Sequence, residues 1–334
     1  MHLGFSSMNT LLDPTPVVLA RALEERGFDS LWYGEHSHIP VSRQTPYSGG
    51  GELPEPYKLM MDPYVSLMAA ASVTTTLRVC TGIALLLERD LFSQAKSIVT
   101  LDQLSGGRVI IGTGVGWNKE EFCNVSSQPW GKRYAVMREA VAALRTLWTQ
   151  DQAEYHGQYI DFDPVWCAPK PLQQPLPVIF GAVGPLGVRH AAEWADGWMP
   201  VDVLLRDIAK SVADFRRAVR DNGRDPACVS ITLQAMRTPD FDTLKRYRDI
   251  GIERVNVGVA VDLWDKPEQG LPMVDHFAHV ISELKPLAGK RVRPDDPSLA
   301  TGSRDGCPAA RIAATPVRSR GGEVVCYANL PATG

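Results

Sequence analysis

The chain is short of several features that announce a protein class. Its six cysteines (80, 123, 167, 228, 307, 326) show no C-x-x-C pair and no regular spacing. That scatter argues against a disulfide framework or a zinc site and for reduced thiols. No basic surplus exists: 35 Lys and Arg stand against 38 Asp and Glu, a formal net charge of −3, which excludes a general nucleic-acid binder. No apolar run approaches the roughly 18 residues that a membrane span needs. The opening, Met1-His2-Leu3-Gly4-Phe5, lacks a basic stretch ahead of a long apolar one. No signal peptide is therefore read, and a cytoplasmic protein with no membrane partner is expected. Internal repeats are absent beyond a strand–helix period. So is the phosphate-binding glycine fingerprint after the first strand, where Ser6-Ser7-Met8-Asn9 stands instead.

What is present is an alternation. Over 334 residues with 44% hydrophobic content, the chain can bury one large core or two modest ones. Short apolar runs at 3–6, 30–33, 79–84, 109–112, 178–181, 197–201, 229–234 and 255–259 read as strands. Between them, apolar residues recur at helical spacing, as in Val17, Ala20, Leu23 and in Val136, Ala140, Leu144, Leu147. Asp13-Pro14 and Asp62-Pro63 read as helix starts, Gly27 and Gly106-Gly107 as helix ends. Eight such units, with strands apolar enough to be buried on both sides, predict a closed parallel (β/α)8 barrel of the TIM type rather than an open doubly wound sheet. The barrel is expected over 1–286. A low-complexity tail, 287–334, is expected to be mostly disordered and dispensable for chemistry, apart from a strand-like patch at 324–327. Three connections exceed what a barrel needs. Those at 35–61 and 113–130 lie on the carboxyl face, where barrel sites assemble, and suit a wall or lid; the third, 151–176, should wrap the outside.

Three segments could carry chemistry. From Gly106 to Trp117 the chain reads G-G-R-V-I-I-G-T-G-V-G-W, a helix end, a strand and then alternating glycines. Such glycines admit close approach of a flat or phosphorylated ligand, or serve only a tight turn. After the second strand comes Glu35-His36-Ser37-His38. An imidazole there suits proton transfer, with Glu35 as its orienting carboxylate; the alternatives are a His36/His38 metal pair, for which no further ligands appear at useful spacing, and a structural histidine. Gly82, inside the third strand, marks a bulge or a close backbone approach. Phe180-Gly181-Ala182-Val183-Gly184-Pro185 leads into a helix and describes either a phosphate cradle or a plain helix start.

Together these residues resemble the luciferase-like monooxygenase superfamily, and most its branch of deazaflavin-dependent oxidoreductases. The matching segments are G-F-D-S-L-W-Y-G-E-H (27–36), T-L-D-Q-L-S-G-G-R-V-I-I-G-T-G-V-G-W-N (100–118) and A-A-E-W-A-D-G-W-M-P (191–200). The resemblance implies a (β/α)8 barrel that binds coenzyme F420 (8-hydroxy-5-deazaflavin), or alternatively FMN, at the strands' carboxyl ends. It implies His36 as the cofactor-facing histidine, and a strand bulge beneath the ring at Gly82-Ile83, often with a cis peptide. It further implies a cofactor loop of Thr113, Gly114, Val115, Gly116 and Asn118, and a phosphate cradle of Gly181, Ala182, Val183 and Gly184. The implied activity is hydride transfer between the deazaflavin and a small organic substrate, with His36, aided by Glu35, moving the proton. FMNH2-dependent monooxygenation is the alternative, and a non-catalytic flavin-binding barrel the reading of another class. A homodimer is compatible with all three. Where sugar-phosphate dehydrogenases of the superfamily carry a glutamate after Thr-Gly, this chain has Val115, which argues against the same substrate chemistry. Leu86-Leu87-Glu88 also replaces the branch's usual His-Pro corner. Trp117, Phe122, Trp32 and Tyr33 are candidates for a dry pocket wall. Valine at Gly114 or Gly184 is expected to block the cofactor without unfolding the chain.

Overall fold

The computed structural model describes residues 1–284; the expected tail, including the patch at 324–327, lies outside the described residues. The strands in chain order are β1 (His2–Ser7), β2 (Ser30–Tyr33), β3 (Arg78–Ala84), β4 (Val109–Thr113), β5 (Gln152–His156), β6 (Asp161–Trp166), β7 (Val178–Gly181), β8 (Gly197–Met199), β9 (Ser230–Gln234) and β10 (Arg254–Gly258). The helices are α1 (Pro16–Glu25), α2 (Pro63–Ala71), α3 (Leu91–Ser105), α4 (Lys119–Val125), α5 (Arg133–Thr149), α6 (Pro185–Trp194), α7 (Ile208–Asp221), α8 (Phe241–Asp249), α9 (Gly270–Ala278) and α10 (Ile281–Leu284). All strands except β5 and β6 pair in parallel and close as β1-β10-β9-β8-β7-β4-β3-β2. β1 bonds to both β2 and β10, so no edge remains and the open-sheet alternative is excluded.

Double-sided burial explains the strand composition. β2 and β4 are buried at every position, which is why they read as unbroken apolar runs. One face of the barrel wall meets the helices in the main core. The other fills the lumen, where Trp32, Cys80, Ile110, Ile179 and Met199 form a separate cluster with Ile83 packed on it. Trp32, Cys80 and Ile110 share one level of the register across β2, β3 and β4.

The two helix starts expected at Asp-Pro pairs differ. Asp62 caps α2, accepting from the N–H groups of Tyr64 (2.9 Å) and Val65 (3.1 Å), with Pro63 in the first turn. Asp13 does not cap α1, contrary to expectation. Its carboxylate instead accepts from the Ser7 and Thr10 hydroxyls and the Thr10 N–H, closing the turn after β1, and Thr15 caps the helix. Gly106 ends α3 at φ +73°. The 151–176 connection contains an antiparallel hairpin, β5 with β6, that the sequence reading missed. Exposed positions dominate both strands, which leaves little apolar alternation to detect. Among the described residues, Cys80, Cys123 and Cys167 are free thiols.

The β3–β4 pair carries the irregularity that shapes the mouth. Register shifts between Thr81 and Ala84, and the Gly82-Ile83 peptide there is cis. Gly112 sits opposite with no room to spare: a Cβ on it would lie 2.3 Å from the Thr81 carbonyl oxygen. The Thr81 hydroxyl donates to the Gly112 carbonyl at 2.8 Å. Gly112→Ala must therefore push two backbones apart and is expected to destabilise the protein by about 2 kcal/mol, the cost of overpacking. Urea unfolding without any ligand checks this; unchanged stability would mean that the strand pair can yield.

Candidate functional site

The sequence pairs His36 with Glu35, and the structure separates them. Glu35 is buried and turned to its own side, where Oε2 accepts from the Leu85 N–H (2.8 Å) and Oε1 from the Arg89 guanidinium. Arg89 also donates to Asp62 at 2.6 Å and lies over the Tyr64 ring, 4.9 Å from its centroid. Burial opposes the charge on Arg89, but the two carboxylates prevail and hold its pKa above the ordinary range. Glu35 therefore ties the end of β2 to the turn after β3 and does not reach the imidazole.

His36 is oriented by Glu121, which the sequence reading missed. His36 Nδ1 lies 2.6 Å from Glu121 Oε2, and both side chains are almost fully buried. On the other side of the ring, Trp117 Nε1–H donates to His36 Nε2 at 3.3 Å. An indole N–H can only donate, so Nε2 carries the lone pair and Nδ1 carries the proton that Glu121 accepts. A local signal for Glu121 exists in the sequence, but it points elsewhere. Asn118-x-x-Glu121 at a helix start is the spacing of a capping box. In the structure neither residue plays that part: Asn118 makes no side-chain cap, and Glu121 reaches away to His36.

Rings from the 35–61 loop close over the imidazole. Tyr57 and Trp117 meet it edge-on, at centroid distances of 5.4 and 5.7 Å, and Tyr47 contacts both. Tyr57 continues to Trp264 at 6.0 Å. Beside Trp264, a small cleft opens between the ends of β1, β9 and β10, lined by Ser6, Ser7, Gln234, Met236 and Val259. None of the four pocket candidates lines this cleft: Trp117 stands against the imidazole, and Trp32, Tyr33 and Phe122 are buried in cores. The lid is fastened from outside by Glu120, which accepts from the Gln44 N–H (3.0 Å), the Thr45 N–H (3.2 Å) and the Thr45 hydroxyl (2.6 Å). His38 hydrogen-bonds Ser37 and Asn124, so it takes partners separate from those of His36.

The glycine segments converge, though for mixed reasons. Ile83 projects from the bulge so that a Cβ on Gly114 would lie 2.3 Å from its Cδ1, and one on Gly181 2.9 Å from its Cγ2. Those two glycines make room for Ile83, so Gly114→Val is not the fold-neutral probe the sequence suggests. Thr113 is buried and donates to the Ala84 carbonyl at 3.0 Å, and Val115 is part of the core. Gly116 is a turn residue at φ +72°. Gly184, the cap of α6, has φ −76° and open space where a Cβ would stand, and it offers no side chain to the first-turn N–H groups. The Ala182 carbonyl accepts from Trp198 Nε1 at 2.7 Å, and Val183 is half-buried. Asn118 is 1% exposed, yet both polar atoms of its amide lack a partner.

The family model described as luciferase-like monooxygenase matches residues 16–242. The chain belongs to the luciferase-like monooxygenase family. An uncharacterised protein of Mycobacterium tuberculosis is 39% identical over 265 residues, covering 78% of this chain and 92% of its own. An FMNH2-dependent dimethylsulfone monooxygenase of Pseudomonas putida is 34% identical over 133 residues, 39% of this chain and 36% of that one. An F420-dependent glucose-6-phosphate dehydrogenase of Amycolatopsis mediterranei is 29% identical over 206 residues, 60% of this chain and 57% of that one. No helix among the described residues is long and apolar enough to cross a membrane.

Glu120 tests the lid. Hydrogen bonds from the Thr45 hydroxyl and from backbone N–H groups depress its pKa to about 2. The tether is thus complete at neutral pH and is lost only as pH falls from the ordinary carboxylate range toward that value. Glu120→Ala should speed amide hydrogen exchange at Gln44 and Thr45 while leaving β4 amides unchanged. Equal protection in both proteins would show that the ring contacts alone hold the loop.

Proposed function

We propose that this chain is an oxidoreductase that transfers a hydride between coenzyme F420 and a small organic substrate at the carboxyl mouth of the barrel, with His36 handling the accompanying proton. The observation that carries this reading is the buried Glu121–His36 pair, which leaves Nε2 as an acceptor beneath a ring-lined lid. The chain offers fitting partners for a deazaflavin. Asn118 has an orphaned buried amide, and Gly184 leaves open space at the start of α6, where unpaired N–H groups favour phosphate. In this reading Asn118, Gly116, the Gly82-Ile83 bulge and the 181–184 segment hold the cofactor. When bound, the deazaflavin donates or accepts a hydride at C5.

The remaining work falls to the protein. A substrate hydroxyl at the site replaces the Trp117 indole as donor to Nε2. The imidazole takes up its proton, and the positive charge is met at once by the Glu121 carboxylate across the ring. Tyr47, Tyr57 and Trp117 exclude water, which strengthens that charge pairing. Glu35 has no part in the chemistry; with Arg89 it anchors the strand ends. Residues 1–286 are read as the catalytic unit. The FMNH2-dependent relative supports a second reading, monooxygenation with O2, over a smaller share of the chain.

Titration with F420 and with FMN separates the two. Tight binding of FMN alone, with oxygen consumption by the reduced form, would replace the F420 reading, and binding of neither would leave a non-catalytic barrel. His36→Ala is expected to lower kcat by roughly 10²–10⁴ with little change in cofactor affinity. Wild-type turnover with lost binding would make His36 a cofactor-positioning residue instead. Gly184→Val should weaken cofactor binding at unchanged Tm, because a Cβ there meets no protein atom within 4 Å.

A further inference from the structure

Glu88 is the carboxyl group for which the mechanism above has no task. It ends the short helical turn Leu86–Glu88 that follows the β3 bulge. Its Oε1 lies against the chain after β4, 3.1 Å from where a Cβ on Gly116 would stand, and its Oε2 is buried without a partner. Helix α4 packs on the same turn. That helix carries Glu121, whose Oε2 is engaged by His36 while its Oε1 is buried and unpartnered. Asn118, one helical turn earlier, has both amide atoms in the same condition.

The charges acting on Glu88 are both negative, Glu121 from α4 and Glu35 from the end of β2. Arg89, its neighbour in sequence, is committed to Glu35 and Asp62. Helix α5 also packs on the turn, and its buried face is apolar: Val136, Met137, Ala140, Val141 and Leu144. Burial and the two carboxylates push Glu88 up to about 8. At neutral pH it therefore holds its proton, and that proton is a donor for which the open oxygens of Glu121 and Asn118 are acceptors. Buried polar atoms left open in this way are the partners that an internal water requires.

We propose that Glu88 is a proton-holding partner of Glu121: its acid hydrogen, relayed through a water ordered with Asn118, serves the open oxygen of Glu121, so that the two carboxyls carry one negative charge between them behind His36. The proposal rests on His36 as the proton-handling residue and makes Glu88 a positioning residue for it. With one shared charge, Glu121 accepts the Nδ1 proton of His36 and the lone pair stays on Nε2. When substrate protonates Nε2, the new positive charge faces the ionised Glu121, and Glu88 keeps its own proton. Loss of that proton would put a second negative charge behind the ring and disturb the pairing of Glu121 with the imidazole.

The test needs no turnover, so it stands or falls apart from the assigned activity. ¹⁵N-histidine NMR of the full chain without cofactor, from pH 6 to 10, should show the Nδ1–H form of His36 at neutral pH. It should also show a further inflection of its nitrogen shifts near the Glu88 value of about 8. Glu88→Gln, neutral throughout, should match wild type at pH 7 and lack that inflection. Glu88→Met should lack it too and also shift the His36 signals at pH 7, because Glu121 loses its donor; it also serves as the neutral variant if Glu88→Gln does not fold. Superimposable titration curves for wild type and the neutral variants, or no such inflection in wild type, would overturn the proposal.

Discussion

One hydrogen bond organises the mouth of this barrel: His36 Nδ1 to Glu121 Oε2, made between residues 85 apart in sequence. Because both groups are buried, removing either would strand the other, at a typical cost of about 3–5 kcal/mol. The bond settles the imidazole tautomer, and the tautomer settles which nitrogen faces the rings of the lid. It also draws Glu121 away from the start of α4, which has no side-chain cap. Glu121 gives up the helix terminus for the imidazole, and its neighbour Glu120 turns outward to fasten the lid loop. Adjacent carboxylates thus hold opposite walls of one site.

Ile83 plays the corresponding part on the other wall. Its side chain leaves the β3 bulge and occupies the space that Cβ atoms on Gly114 and Gly181 would need. The glycines of β4, β7 and the loops after them therefore have different physical reasons. Gly112 avoids a backbone carbonyl, Gly114 and Gly181 admit Ile83, and Gly116 serves a positive φ. Gly184 alone among these faces open space. A run that looks like one ligand motif is a packing solution with one open end.

The barrel itself was legible, since period and burial act locally. A strand buried on both sides must be apolar throughout, as β2 and β4 are, and every expected barrel strand overlaps an observed one. The hairpin β5–β6 escaped because exposed strands need no such composition. Within the site, His36 was legible because a titratable ring after a barrel strand is unusual. Glu35 was legible and mispaired, because adjacency in sequence says nothing about direction when successive side chains point to opposite faces.

The sequence by itself determined the closed barrel and the family, and it singled out the mouth and His36 as candidates for the chemistry. Each depends on composition, spacing or motif. Only the tertiary structure decided that Glu121 orients the imidazole, that Glu35 belongs to Arg89, that Tyr47 and Tyr57 cover the site, and that Ile83 claims two of the glycines. Those contacts join elements distant in the chain, and their partners are chosen by side-chain direction and available space, which no local pattern encodes.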